Sequence, residues 1–311
     1  MAVNKVAVLG LGRMGAAVAA ALSAAGREVL VWNRSEQGHH RLAAEAALRE
    51  ALIERAPTPA RAAAGADLVL TSLADAAALR EVLTGPDGAL SGARPGTVVA
   101  DTSTIGVAAA HDLAAAAGAA DAVYCDAPVS GSVASVRSAT LLVMAGGPDD
   151  AVGRLAEVAP AFSAGVVHTG AVGSGQAAKL AVNSIVYSLN AAVAEALVLA
   201  ERGGVARATA LQVFTSSAVA APLVRYKAAA FADLDAEPVA MSVDLMRKDL
   251  RLIADQAQLT GTALPLAEQV TALADAVSAA GRGSADMAAL AVHLRELATS
   301  WPGQLSHPTH P

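Results

Sequence analysis

Two apolar rhythms divide the chain. Up to about residue 170, short continuous apolar runs at 3–9, 28–32, 67–72, 97–100, 122–125, 141–145 and 166–169 read as buried strands. Helical stretches at 16–25, 75–83, 106–117 and 149–161 separate them, closed by breakers such as Gly26 and Gly85-Pro86-Asp87-Gly88. Strand and helix in alternation predict an α/β unit of the Rossmann type, with a mostly parallel, doubly wound sheet. Beyond Thr169 no strand is expected. A long helical pattern opens at Gly173 and runs to about Gly203, and helices at 205–217, 242–259, 265–280 and 285–298 follow. A region with Pro222, Tyr226 and Phe231, and a break at Pro238, lie among them, so the C-terminal part reads as all-α.

Composition sharpens this picture. The 311 residues suffice for two domains with sizeable cores. With 54% apolar and only 3% aromatic residues, those cores must be built from Ala, Val and Leu, and the alanines favour helix. A formal charge of −6 without a Lys/Arg run argues against a nucleic-acid surface. Cys125 is the one cysteine, which rules out an internal disulfide and makes a thiolate metal site implausible. The longest apolar stretch, 177–200, is interrupted by Lys179, Asn183, Asn190 and Glu195 and makes a poor membrane span. The N-terminus is not a proper signal peptide, so a soluble cytoplasmic protein is expected.

The first strand runs straight into Gly10-Leu11-Gly12-Arg13-Met14-Gly15, which a helix follows. This is G-x-G-x-x-G in the setting that dinucleotide binding requires. Gly10 makes the tight turn, Gly12 admits a pyrophosphate against the backbone, and Gly15 lets helix pack on strand. The helix start offers N–H groups and a positive dipole end to the phosphates. The second strand ends in Asn33-Arg34-Ser35, where an acidic residue would hold the ribose of NAD(H). Arg34 can fork onto a 2′-phosphate and Ser35 can donate to it, so NADP(H) is favoured. Glu36 next door leaves NAD(H) possible.

Ligands of such a sheet bind beyond the carboxyl ends of the strands. Four polar or glycine-rich stretches lie there: Gly10 to Gly15, Ser72-Leu73-Ala74-Asp75, Asp101 to Thr104, and Asp126 to Ser132. Leu73, Ala74 and Thr104 thereby become candidates to line the cofactor. Capping of the helix at 106–117 is an equally good reading of Ser103 and Thr104. In Asp126-Ala127-Pro128-Val129-Ser130-Gly131-Ser132, successive N–H groups with the Ser130 and Ser132 hydroxyls would suit a substrate carboxylate. An ordinary Pro/Ser/Gly loop is the competing reading.

The long helical pattern carries Lys179 and Asn183, four residues apart and so on one face, which continues through Val186 or Tyr187 to Asn190. A lysine amid Ala, Leu and Val is a candidate for a depressed pKa, and with it for proton transfer. A solvated helix lysine is the plain alternative.

Together these motifs resemble the β-hydroxyacid dehydrogenase family, of which 3-hydroxyisobutyrate dehydrogenase is the best-known kind. The resemblance covers the chain to about Thr299. It rests on the Gly10–Gly15 motif, the Asp126–Gly131 motif, Gly173-Ser174-Gly175-Gln176-Ala177-Ala178-Lys179-Leu180-Ala181-Val182-Asn183, and Lys248-Asp249-Leu250. The resemblance implies an NAD(P)-dependent oxidoreductase that interconverts a short β-hydroxy acid with its semialdehyde or keto form. Lys179 would be its proton donor and acceptor, and Asn183 would orient substrate. Ser130 and Gly131, with Ser132 beside them, would bind the carboxylate. Thr104 and Lys248 would lie near the nicotinamide, and Asp249 would pair with a charge. The implied layout is a cofactor domain at 1–170, an inter-domain helix at 171–203, and an all-α dimerisation and substrate domain at 204–299. The tail from 300 to 311 reads as disordered or added sequence, not as a metal site. A homo-oligomer, dimer or tetramer, is also implied. The chain departs from the family pattern at Ser132, Ser135, Arg137 and Ser184, which leaves the substrate open; Arg137 either binds a second acidic group or is exposed. Imine reductases share the fold but typically lack the lysine, and a non-catalytic cofactor-binding scaffold is the reading from another class.

Overall fold

The computed structural model describes residues 3–300 apart from Ala46 and Glu237, so the tail from Trp301 lies outside the described residues. The chain forms two compact units, Met1–Ala181 and Val182–Pro311. The division falls inside one continuous helix, Ser174–Arg202, rather than at either of its ends.

The first unit is built on a sheet of nine strands: β1 (Lys5–Leu9), β2 (Glu28–Trp32), β3 (Ile53–Arg55), β4 (Leu68–Thr71), β5 (Val98–Asp101), β6 (Val123–Asp126), β7 (Val129–Ser130), β8 (Leu141–Gly146) and β9 (Ser163–Gly170). Their order is β3-β2-β1-β4-β5-β6-β8-β7, with β9 also paired to β8. Strands β1 to β6 are parallel to their neighbours, the 3-2-1-4-5-6 order of a doubly wound dinucleotide fold. Strand β8 then runs antiparallel to β6, and β9 parallel to β8.

Alternation along β1 shows why its run is continuously apolar. Val6 and Val8 join one core, and Ala7 and Leu9 join the core on the opposite face. A sheet covered on both sides needs apolar residues at every position. The elements that the apolar runs did not predict lie where this reasoning fails. Strand β3 is a half-exposed edge of three residues. Strand β9 begins at Ser163, earlier than its apolar run, because as an edge strand it is mostly exposed. The stretch expected as a loop after Asp126 contains β7, which pairs Val129 with Val143 and Ser130 with Leu142. The first helix, Arg13–Ala24, starts inside the glycine motif, with Gly12 as its N-cap.

The second unit is helical among its described residues. Besides most of the long helix it contains Arg207–Ser216, Pro222–Ala232, Val243–Thr260, Pro265–Val277 and Ala289–Ser300. The region around Pro222, Tyr226 and Phe231 is therefore a helix, with its proline in the first turn, where no N–H is missed. Helix Val243–Thr260 is capped by the Ser242 hydroxyl, which accepts from Leu245 N–H at 3.2 Å, and it closes on Gly261 at φ +66°. Its buried stripe is Val243, Met246, Asp249, Leu250 and Ile253, one carboxylate among apolar side chains. A second buried charge, Lys227, meets Asp286 at 2.5 Å. Asp286 also accepts from Ala240 N–H, so the pair ties helix Pro222–Ala232 to the strap before Ser242.

Candidate active site

The glycine turn leaves β1 beside β4. Gly10 has φ +97°, and a Cβ there would stand 2.4 Å from the Ser72 carbonyl oxygen. A Cβ on Gly15 would stand 2.0 Å from the Gly10 carbonyl oxygen. A Cβ on Gly12 would meet nothing within 4 Å. The outer two glycines are thus demanded by the protein's own packing, whereas the middle one faces open space. No side chain caps the helix that starts there, and Gly12 and Arg13 are exposed. An uncapped helix start with room above its backbone fits the phosphates of a dinucleotide.

Asn33 braces this turn. Its Oδ1 accepts from Leu11 N–H at 2.9 Å, and its Nδ2 donates to the Ser35 carbonyl at 2.8 Å. From the following helix, Glu36–Ala43, the Arg41 guanidinium donates to the Leu11 carbonyl at 2.8 Å. Both backbone groups of Leu11 are therefore engaged within the protein, and its side chain is buried, so it shapes the turn rather than offering a donor. Arg34 is exposed at the end of β2, 4.0 Å from Glu81. Glu36 is engaged with Arg55 at 2.8 Å, and the guanidinium holds its carboxyl below the ordinary range.

The next two strand ends are tied to one another. Asp101 Oδ1 accepts from the Thr71 hydroxyl at 2.6 Å and from Ser103 N–H at 3.0 Å, and Oδ2 accepts from the Tyr124 hydroxyl at 3.2 Å. Burial pushes the Asp101 carboxyl up to about 6 even against these donors. The Ser103 hydroxyl accepts from Leu73 N–H at 2.9 Å, so it holds the Leu73 and Ala74 loop. The N-cap of helix Val107–Ala119 is Gly106, and the Ser103 hydroxyl serves the Leu73 loop. Thr104 is half-buried beside them.

At the end of β6, Asp126 receives the start of the long helix. Its Oδ1 accepts from Gly173 N–H and its Oδ2 from Gln176 N–H, both at 2.7 Å. A buried carboxylate at a helix N-terminus satisfies two N–H groups that the helix itself cannot; burial still raises its pKa. Gln176, buried, donates to the Ser103 carbonyl at 2.9 Å and accepts from Ile105 N–H at 3.1 Å. Lys179 follows one turn later, half-buried.

The loop after β7 differs from its expected form. Ser132 N–H donates to the Ser135 hydroxyl at 3.2 Å and caps helix Val133–Arg137, so it does not join a row of open N–H groups. Ser130 keeps a half-buried place, and Gly131 turns the chain at φ +136°. Arg137 forms a two-pronged pair with Glu45 at 3.0 and 3.1 Å, so its guanidinium is engaged by a carboxylate of the chain itself.

In the second unit, Asn183 donates to Asp249 Oδ2 at 2.8 Å and to the Tyr187 hydroxyl at 3.2 Å. Tyr187 donates to the same carboxylate oxygen at 2.5 Å, and Lys248 Nζ stands 2.9 Å from Asp249 Oδ1. Asn183, Lys248 and Asp249 were singled out from sequence; Tyr187, Gln176 and Arg41 were not given roles. For Tyr187 the available signal was its place on the Lys179–Asn183 face.

A doubly wound parallel sheet with an open glycine turn at the end of its first strand defines a nicotinamide-dinucleotide-binding protein by class. Residues 5–170 match the family described as NAD binding domain of 6-phosphogluconate dehydrogenase, and residues 173–294 that described as NAD-binding of NADP-dependent 3-hydroxyisobutyrate dehydrogenase. A probable 3-hydroxyisobutyrate dehydrogenase of Mycobacterium tuberculosis is 34% identical over 268 residues, 84% of this chain and 88% of that one. The 2-(hydroxymethyl)glutarate dehydrogenase of Eubacterium barkeri is 28% identical, over 92% of this chain and 93% of that one. The solved structure of Mycobacterium tuberculosis 3-hydroxyisobutyrate dehydrogenase with L-serine superposes with a TM-score of 0.79 at 32% identity, covering 95% of this chain and all of that one. The chain belongs to the 3-hydroxyisobutyrate dehydrogenase branch of the β-hydroxyacid dehydrogenase family.

Proposed function

We propose that this protein is an NAD(P)-dependent dehydrogenase of short β-hydroxy acids that interconverts a primary or secondary alcohol and its semialdehyde or keto form. The observation that carries this reading is Lys179, one turn before Asn183, on a helix whose start is pinned by Asp126 and Gln176 to strand ends of the cofactor unit. When bound, the nicotinamide supplies or receives the hydride. Gly12, Arg13 and Met14 hold its phosphates at the helix start, with Gly10 and Gly15 shaping the turn. In oxidation the Lys179 amine takes the hydroxyl proton as the C–H hydride leaves; in reduction the ammonium returns a proton to the carbonyl oxygen. Asn183 orients the substrate oxygen, Ser130 and Gly131 take the carboxylate, and Lys248 and Thr104 serve the nicotinamide half. 3-Hydroxyisobutyrate, 2-(hydroxymethyl)glutarate and L-serine, named with the relatives, share a hydroxyl one carbon removed from the carbon bearing a carboxylate. That shared chemistry supports the substrate class.

NADP(H) is the preferred cofactor in this reading, because the end of β2 presents Arg34 and Ser35 and no carboxylate at Asn33. Absorbance at the nicotinamide band, followed with short semialdehydes and with cyclic imines, each with NADPH and NADH, tests both points. Turnover of semialdehydes with NADPH at lower KM than NADH is expected. Turnover of imines alone overturns the substrate class, and a preference for NADH overturns the role of Arg34.

Self-association is part of the same proposal. On the long helix Ile185 is 69% and Leu199 75% exposed, with exposed Ala192 midway between them. Seven-residue spacing sets all three on one side, an apolar stripe that a second copy would cover. The helix is long and apolar enough to cross a membrane by length and composition, with a mean hydropathy of 1.5. Buried Asn183 and Asn190 and half-buried Lys179 support a core helix instead, and we place its action in the cytoplasm. Light scattering should give the mass of a dimer or tetramer, reduced by Ile185→Glu with Leu199→Glu; a single-chain mass for the unaltered protein overturns this.

A further inference from the structure

We infer that Tyr187 is a positioning residue for this reaction: through Asp249 it fixes which way round the Asn183 amide stands. The inference rests on the proton-transfer reading above. Asn183, Tyr187 and Asp249 are 3%, 1% and 2% exposed, so water does not satisfy their polar groups and they must satisfy each other. They form a triangle. Asp249 Oδ2 accepts from Tyr187 Oη at 2.5 Å and from Asn183 Nδ2 at 2.8 Å, and Asn183 Nδ2 also donates to Tyr187 Oη at 3.2 Å. The remaining carboxylate oxygen faces Lys248 Nζ at 2.9 Å.

An ionised carboxylate only accepts, so the amide nitrogen, not its oxygen, must face Asp249. Both amide N–H bonds then point into the triangle, and the carbonyl oxygen is what Asn183 presents on its other side. An acceptor one turn beyond Lys179 suits donors: the lysine's ammonium, or the hydroxyl of the substrate's alcohol form. A flipped amide would present N–H groups instead, which repel the ammonium and leave the hydroxyl proton without this acceptor. The Tyr187 hydroxyl matters twice. It donates to Asp249, and its oxygen receives the second amide N–H that would otherwise have no acceptor. Burial, and next the Asp249 charge, push the phenol well above its ordinary value, so it stays a neutral donor.

Tyr187→Phe removes this oxygen and little else. The experiment is a cycle of four proteins: unaltered, Tyr187→Phe, Asn183→Ala and the double variant, with kcat, KM and cofactor affinity measured for each. A role exerted through Asn183 lowers kcat about 10-fold in the unaltered background and less than about 2-fold once Asn183 is Ala, with cofactor affinity unchanged. A merely structural role lowers both backgrounds alike, and that result overturns the inference, as does full kcat in Tyr187→Phe. Should Tyr187→Phe not fold, Asp249→Asn enters the cycle in its place with kcat at saturating cofactor as the readout, since Asp249 also faces Lys248; equal losses in both backgrounds again overturn the inference. Retained turnover in Lys179→Ala would remove the underlying reading. An inactive Lys179→Ala with equal losses in both backgrounds removes only the role of Tyr187.

Discussion

Lys179→Ala should lower kcat by about 10²–10⁴-fold, the range in which positioned proton transfer contributes to a rate. Cofactor affinity should not change, because the glycine turn is shaped by Asn33, Arg41 and Ser72. The loss should appear equally in kcat and kcat/KM, the pattern of an interaction made only in the transition state. Lys179→Arg should not rescue it, since a guanidinium does not give up its proton at working pH and cannot serve as base. Steady-state rates at saturating NADPH, with a fluorescence titration of the cofactor, make the comparison. Near-normal turnover in Lys179→Ala would sink the assignment.

Three alanine variants of the glycine motif should separate into two kinds. At Gly15 the new methyl would lie 2.0 Å from the Gly10 carbonyl oxygen, and at Gly10 it would lie 2.4 Å from that of Ser72 with φ at +97°. Both clashes are with backbone, which cannot swing aside, and a loss of about 1–3 kcal/mol or more in stability is expected from such overpacking and strain. Gly12→Ala meets nothing within 4 Å, and the Gly12 backbone, φ −63° and ψ −173°, is one that alanine adopts. This variant should melt with the unaltered protein, yet bind NADPH at least ~10-fold more weakly, because its methyl occupies the place where a pyrophosphate approaches the backbone. Thermal unfolding with and without cofactor reads both quantities. Unaltered affinity in Gly12→Ala would show that the phosphates lie elsewhere.

The fold was legible from the chain because a sheet buried on both faces writes itself as continuous apolar runs, and Val6, Ala7, Val8 and Leu9 divide between two cores as that requires. Where burial is one-sided the signal fades. Strands β3 and β9 are partly exposed edges, and β7 is two residues long. Candidate chemistry was legible where it is local: three glycines in six residues, or Lys179 and Asn183 one turn apart. Partnerships across long separations were not. Asp126 was expected in a substrate loop, but it reaches forward to Gly173 and Gln176, 47 and 50 residues on. Arg137 could be read as binding a second acidic group or as exposed; it is exposed and paired with Glu45, 92 residues away. Asp249 is 62 residues from Tyr187; its motif implied a charged partner, and nothing local pointed to the tyrosine.

The carboxylate at the end of β6 acts as an index mark for the long helix. Its two bonds fix where the first turn starts and at what angle, so the side chains of the next turn, Lys179 among them, inherit their phase from the sheet. Lys179 comes three residues after Gln176, and one residue added between them would swing it about 100° around the axis. In this chain the direction in which Lys179 points is thus set by Asp126 at the end of β6, through the helix start that it holds.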